Sequence, residues 1–160
     1  MKKILRDHLE DTGHSDSYID FQIASLFDQT AFSGRVQEFL RVTTPPSKDS
    51  KLLVSGSSVG EELQTLMDLG FENLVGTEIS DVYIGICKLR FKEKVSIRRV
   101  AGETMPFDAE SFGAVFSAHI VEHTKNPRAY ILECLRCLAP EGLLYLEFPS
   151  RYNKVELHTG

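Results

Sequence analysis

Lys51-Leu52-Leu53-Val54-Ser55-Gly56-Ser57-Ser58-Val59-Gly60-Glu61-Glu62 is the stretch whose reading decides the fold. Leu52, Leu53 and Val54 form a short continuous apolar run, as expected of a strand covered on both faces. Gly56, Ser57 and Ser58 carry little or no side chain, so another molecule can approach the backbone closely there. Leu63, Leu66 and Met67 follow at helical spacing, and Gly70 is placed to end that helix. Strand, small-residue turn and helix start together form the nucleotide-binding corner of an open α/β sheet. A plain tight turn would look the same in isolation, so the neighbouring sequence has to decide.

Asn73-Leu74-Val75-Gly76-Thr77-Glu78 reads as a second strand ending in an acid. Glu78 lies close to the offset of roughly 20 residues at which such folds place a carboxylate on ribose hydroxyls. Glu78→Gln, which keeps one acceptor, is expected to lose less binding than Glu78→Ala. Glu61 and Glu62 fall in the first turn of the helix, where they suit its dipole. They would repel a pyrophosphate at that helix N-terminus. A cationic nucleoside, with a sulfonium and an ammonium, would be tolerated.

The chain has 160 residues, 42% hydrophobic and 26% charged, which suits one domain with a real core. A net charge of −5 argues against nucleic acid as the main partner, because phosphate binding needs a basic patch. No apolar run approaches the ~20 residues of a membrane span. The first residues have charges but no apolar core of a signal peptide, so a cytosolic location follows by default. Cys87, Cys134 and Cys137 make an odd count and read as free thiols. Cys134 falls on an apolar helix stripe and no second Cys/His pair follows, so no metal site is assigned.

Residues 1–14 are polar and read as a mobile lead-in. Ser15, Asp16 and Ser17 offer an N-cap ahead of Ile19, Ile23, Leu26 and Phe27. Val36, Phe39 and Leu40 predict a second short helix after Ser33-Gly34. Residues 1–50 thus read as a helical segment and linker, and 51–160 as the ligand-binding core, one domain overall; the two short apolar stripes of 15–42 cannot make their own core and are expected to pack beside the ligand cleft. After Glu78, Ser80 or Asp81 caps a helix with Val82, Ile86 and Leu89 facing inward. Residues 95–100 form a third strand, 101–111 a loop, and 112–119 a fourth strand. Asn126 caps a helix starting at Pro127, with Ile131, Cys134, Leu135 and Leu138 as its stripe. A fifth strand covers 143–148. Alternating strands and helices predict a parallel sheet of order 3-2-1-4-5 with right-handed crossovers.

From about Lys51 to Ser150 the order of motifs resembles class I S-adenosylmethionine-dependent methyltransferases of the small-molecule branch. Glu103-Thr104-Met105-Pro106-Phe107-Asp108-Ala109-Glu110-Ser111-Phe112 resembles that family's loop before the fourth strand. Phe116-Ser117-Ala118-His119-Ile120-Val121-Glu122-His123-Thr124 resembles its strand end followed by Glu-His. Leu135-Arg136-Cys137-Leu138-Ala139-Pro140-Glu141-Gly142-Leu143-Leu144 resembles its turn into the fifth strand.

The resemblance implies a fold, a cofactor and a site. The cofactor would be S-adenosylmethionine, leaving as S-adenosylhomocysteine. Gly56, Ser57, Ser58 and Gly60 would wrap its methionine and ribose. Glu78 would hold the ribose hydroxyls, and Ile79 would pack on the adenine. Gly102, Glu103 and Thr104 would line the adenine edge. His119 would face the transferable methyl and is the candidate base for a hydroxyl acceptor, with Glu122 and His123 as rivals.

Several positions depart from the family pattern. Val54 or Ser55 stands where an acid is usual, Ser58 replaces the middle glycine, Ala101 replaces an adenine-binding acid, and Gly113 replaces an aspartate. Five strands are counted where the family core has seven, and residues 151–160 are too short and polar for the missing hairpin. An uncovered fifth-strand edge would invite an oligomer or partner. Residues 156–160 resemble loops of methyltransferases from polysaccharide biosynthesis, which points to a sugar acceptor. Two other readings stay open: a non-catalytic nucleoside-binding or scaffold module, supported by the missing acids, and a dinucleotide-dependent oxidoreductase, disfavoured by Glu61 and Glu62.

Overall fold

The computed structural model describes residues 1–26 and 30–149 of the chain. Phe27 and residues 150–160, including the stretch read as a sugar-type loop, lie outside the described residues. Five parallel strands form one sheet of order β3-β2-β1-β4-β5. They are β1 (Leu52–Ser55), β2 (Leu74–Glu78), β3 (Val95–Arg99), β4 (Phe112–Ala118) and β5 (Leu138–Glu147). Among the described residues six α-helices accompany them: α1 (Lys2–Asp11), α2 (Asp16–Ser25), α3 (Thr30–Val42), α4 (Glu61–Asp68), α5 (Asp81–Phe91) and α6 (Pro127–Cys137).

Strand alternation sorts the core into two layers. Leu52, Val54, Leu74, Ala114 and Phe116 face a core filled by α3, α4 and α5 through Val36, Phe39, Leu63, Leu66, Cys87 and Phe91. Leu53, Val75 and Val115 face the opposite core, filled by Tyr130, Cys134 and Cys137 of α6. On the first face the Phe116 and Tyr145 rings stack 4.4 Å apart, and Phe39 of α3 meets both edge-on.

Five expectations need correction. Residues 1–14 are not a loose lead-in: α1 buries Leu5 and Leu9 completely, against Ile19, Val59 and Ile86. Two leucines four apart suffice because α2 and α5 supply the other walls. Helix α3 begins at Thr30 and runs through Ser33-Gly34, because Val36 and Phe39 dock on the sheet and hold the whole helix. Leu135 is 49% exposed, and Tyr130 takes the buried place on α6. Leu89 is likewise exposed, and Cys87 and Phe91 are the inward residues of α5. Strand β5 starts at Leu138, with a register irregularity opposite Phe112, and regular pairing begins at Leu143.

Candidate functional site

The carboxyl ends of β1, β2 and β4 open onto a cavity of about 660 Å³, within the size range of small-molecule sites. Gly56, Ser58, Glu78 and His119 line it, so four of the ten sequence-derived site residues meet there. Helix α2 and the residues before it supply a further wall with Ser15, Ser17, Tyr18, Phe21 and Gln22.

The turn after β1 is shaped by backbone demands. Gly56 has φ +74°, and a β-carbon there would lie 1.9 Å from Ile120 Cδ1. Gly60 has φ +91°, and a β-carbon there would lie 2.4 Å from the Phe91 ring. Both positions therefore need glycine for conformation and for space. Ser57 is fully buried beneath the turn. Gly60 serves the docking of α4 on α5 and, like Ser57, does not line the cavity.

Glu78 closes the turn. Its Oε2 accepts from the Ser58 amide at 2.9 Å, and its Oε1 accepts from the amides of Ile79 at 2.7 Å and Ser80 at 3.0 Å. A carboxylate has about four acceptor sites, so three backbone donors leave room for one more bond. This geometry reverses the expectation for Glu78→Gln: whichever way the amide is turned, its NH₂ faces a backbone N–H. Ile79, beside it, is 59% exposed.

His119 ends β4 in the left-handed region at φ +56°, a conformation tolerated by histidine and concentrated at functional sites. Its amide donates to the Glu147 carbonyl at 2.8 Å. Its Nε2 lies 2.9 Å from Glu147 Oε1, and its Nδ1 lies 3.4 Å from Glu122 Oε1. Glu147 Oε1 is also 3.1 Å from Arg35 Nε, and Arg35 Nη1 reaches Glu62 Oε1 at 3.4 Å. The Tyr145 hydroxyl donates to Glu147 Oε2. Burial pushes the Glu147 carboxyl up but is outweighed by the Tyr145 hydroxyl, Arg35 and His119, so it lies below the usual carboxylate range. The rivals Glu122 and His123 sit in a single 3₁₀ turn, Val121–His123; His123 lines the cavity.

Glu61 and Glu62 also line the cavity, and both are buried. Burial, reinforced by the neighbouring Glu62, pushes Glu61 up to about 7. Burial raises Glu62 as well, against the opposing pull of Arg35. Ser25 Oγ lies 2.8 Å from the Gln22 carbonyl and 2.9 Å from Glu61 Oε1. One hydroxyl hydrogen cannot serve both acceptors, whereas a neutral Glu61 can itself donate to Ser25.

Gly102, Glu103 and Thr104 lie outside the cavity lining. A β-carbon on Gly102 would meet the Tyr130 ring at 3.2 Å. The Glu103 carboxylate accepts from the Lys125 amide at 2.7 Å and the Asn126 amide at 3.4 Å, holding the entry to α6. Asn126 then caps α6 by accepting from the Ala129 amide at 3.0 Å. Behind the turn, where the family acid is replaced, the Tyr130 hydroxyl lies 2.8 Å from Ser55 Oγ and 2.7 Å from Ser117 Oγ.

Sequence reasoning placed the helices of residues 15–42 beside the cleft, as the α2 wall shows, but did not single out Arg35, Glu147 or Tyr145. Glu147 could have been found by the rule that singled out Glu78 and His119, since it too ends a parallel strand. Arg35 gave no local signal.

A parallel sheet of this order, with a glycine turn after β1 and an acid ending β2, is the Rossmann-like arrangement of class I S-adenosylmethionine-dependent methyltransferases. A family model described as a methyltransferase domain matches residues 53–146, and the chain belongs to that family. A ubiquinone biosynthesis O-methyltransferase of Cereibacter sphaeroides is 28% identical over 141 residues, 86% of this chain and 52% of the relative. Another protein of that name, from Dechloromonas aromatica, is 32% identical over 89 residues, 51% of this chain and 37% of the relative. The chain thus spans about half, or less, of the length of the curated relatives it matches.

Two solved structures share the fold. One is a putative methyltransferase in complex with the Haloferax volcanii Trm112 methyltransferase activator, with TM-score 0.65 at 21% identity, covering 77% of this chain and 57% of that one. The other is the glycopeptide N-methyltransferase MtfA complexed with sinefungin, with TM-score 0.62 at 21% identity, covering 71% of this chain and 52% of that one. No helix among the described residues is long and apolar enough to cross a membrane.

Proposed function

We propose that the protein transfers a methyl group from S-adenosylmethionine to a hydroxyl of a small molecule. The observation that carries this reading is the meeting of the Gly56–Ser58 turn, Glu78 and His119 on one cavity at the carboxyl ends of the strands. The lining suits the cofactor. Glu78 keeps one acceptor site for ribose, exposed Ile79 offers a face to adenine, and residues 102–104, outside the cavity lining, are proposed for the adenine edge. Gly56, Ser57, Ser58 and Gly60 shape the turn that faces the ribose and methionine portion. Arg35 supplies a cation for the amino-acid carboxylate, and Glu61 and Glu62 supply acceptors for the ammonium. Bound there, the cofactor supplies a methyl on a sulfonium, whose carbon–sulfur pair stays with sulfur as the new carbon–oxygen bond forms.

His119 takes the acceptor's hydroxyl proton, and the flanking carboxylates of Glu122 and Glu147 stabilise the imidazolium so formed. Methyl transfer otherwise needs alignment rather than a protein nucleophile. The names of the curated relatives favour an oxygen acceptor. A sugar or polysaccharide precursor fits the same chemistry and rests only on residues 156–160.

The test is a calorimetric titration of the full chain with S-adenosylhomocysteine and S-adenosylmethionine. Binding of both is expected, and Glu78→Ala is expected to weaken it by about 10–100-fold, as loss of a charged acceptor implies. Wild-type affinity in Glu78→Ala would remove Glu78 from the site. Absence of binding at millimolar concentration would favour a scaffold role.

A further inference from the structure

Two neighbouring acids on the cavity wall are partnered in different ways. Glu62 has a cation: Arg35 Nη1 lies 3.4 Å from its Oε1. Glu61 has a hydroxyl: Ser25 Oγ of α2 lies 2.9 Å from its Oε1. Both acids are buried, Glu61 with only 3% of its surface exposed. A buried carboxylate that faces a hydroxyl rather than a cation is costly to charge. Resting on the methyl-transfer reading, we propose that Glu61 holds a proton in the empty cavity and releases it when an ammonium-bearing nucleoside binds, so that the cavity tells the amino-acid cofactor from a bare nucleoside by a proton exchange.

Ser25 can serve both states of the acid. Its Oγ lies 2.8 Å from the Gln22 carbonyl and 2.9 Å from Glu61 Oε1, and it has one hydrogen and two lone pairs. With Glu61 neutral, Ser25 donates to the Gln22 carbonyl and accepts from the acid's O–H. With Glu61 charged, the same hydroxyl gives up Gln22, turns and donates to Oε1. No heavy atom has to move. Facing Glu61 are also Tyr18 of α2, Glu62 on its own helix, and Tyr83, Cys87 and Arg90 of α5. Burial pushes Tyr83 and Cys87 up to about 12 and raises Tyr18 as well, so these three stay neutral near pH 7. Arg90 donates to the Val59 carbonyl, and burial and the Glu62 charge outweigh its pull, pushing Glu61 up to about 7. Across the cavity stand Arg35, Glu78, His119 and His123. An ammonium brought beside Glu61 opposes both causes, because a nearby opposite charge favours the carboxylate. The carboxyl O–H then breaks, its electron pair stays on the carboxylate, the proton passes to the buffer, and the ammonium keeps its own hydrogens. Binding that releases a proton tightens as pH rises.

The experiment is calorimetry on the full chain, as wild type and Glu61→Gln, in phosphate and in Tris buffer. The heats of ionisation of the two buffers differ, so the difference in binding heat counts the protons released per ligand. The probes are S-adenosylhomocysteine, which carries the ammonium, and 5′-methylthioadenosine, which has the nucleoside and thioether without it. Wild type is expected to release about 0.4 proton per S-adenosylhomocysteine at pH 7 and under about 0.1 at pH 8, and to bind it about fivefold more tightly at pH 8 than at pH 6. Release with 5′-methylthioadenosine should be near zero. Glu61→Gln, neutral at every pH, should release almost none and bind S-adenosylhomocysteine about tenfold more weakly than wild type at pH 8 but only about twofold at pH 6. Histidine also exchanges protons near neutrality, so release that persists in Glu61→Gln belongs to His119 or His123 and overturns the proposal. Equal release with the two ligands overturns it as well. If Glu61→Gln does not fold, the wild-type contrast between the two ligands still decides. S-adenosylhomocysteine binding without proton release defeats the proposal alone, whereas absence of S-adenosylhomocysteine binding defeats the cofactor reading and the proposal with it.

Discussion

The two ends of the cavity are built in different ways. At the β1–β2 end, Glu78 is held by three backbone amides, all within residues 58–80. At the β4–β5 end, His119 is placed by side chains from β5 and the 3₁₀ turn, and Arg35 of α3 stands 112 residues before its partner Glu147 (147 − 35). A backbone-built site is fixed by local chain geometry and tolerates few alternatives at its acid. A side-chain-built site can repack, and its cost of change depends on what remains to accept each hydrogen.

The largest effect should come from the backbone-built end. Glu78→Gln is expected to lose as much S-adenosylhomocysteine affinity as Glu78→Ala, about 10–100-fold or roughly 1.4–2.7 kcal/mol. Glu147→Gln, at the other end, is expected to stay much closer to wild type than Glu147→Ala. A calorimetric series with all four variants checks this; a mild Glu78→Gln would erase the distinction between the two ends.

The next effect concerns Glu61, between them. Its folded value of about 7 lies above the ordinary 4.5. A raised acid contributes stability that is full below about pH 4.5 and is lost as pH rises through about 7. The shift sets a ceiling of ~3 kcal/mol. Glu61→Gln, which needs no proton to be neutral, should therefore gain about 2 kcal/mol over wild type at pH 8 and nothing at pH 4.5. Thermal melts at the two pH values measure it, and an equal gain at both would show that burial of the charge is not the cause.

The smallest effect is a null cut pattern. Residues 1–50 are proposed to be part of one domain with the rest, since Val36 and Phe39 share a core with Leu52 and Val54. Brief proteolysis should not yield an independently folded fragment from that segment.

The same difference explains what could be read from the sequence. Strand order, the glycine turn and Glu78 were legible because each is set by short-range pattern: apolar runs, small residues, an acid at a fixed offset. Helix α6 was placed by Asn126 and Pro127, and Ile131, Cys134 and Leu138 do face the core, but Leu135 was misplaced and Tyr130 overlooked because it is amphipathic and hides its ring's burial behind a polar tip. Helix α1 was missed because two leucines make no visible period until α2 and α5 surround them. That residues 15–42 flank the cleft followed from apolar stripes too short for a core of their own, but which of their polar side chains enter the site, Arg35 above all, is set by tertiary packing and had no local signal.

Leu5 and Leu9 have a further consequence, for the order in which the molecule is made. Both are completely buried, and their pocket includes Val59 and Ile86. During synthesis those two leucines emerge long before Ile86 exists. At 5–20 residues per second the delay is on the order of ten seconds. Over that interval the amphipathic first helix is an exposed apolar surface on the nascent chain, available to whatever holds unfinished proteins at the ribosome.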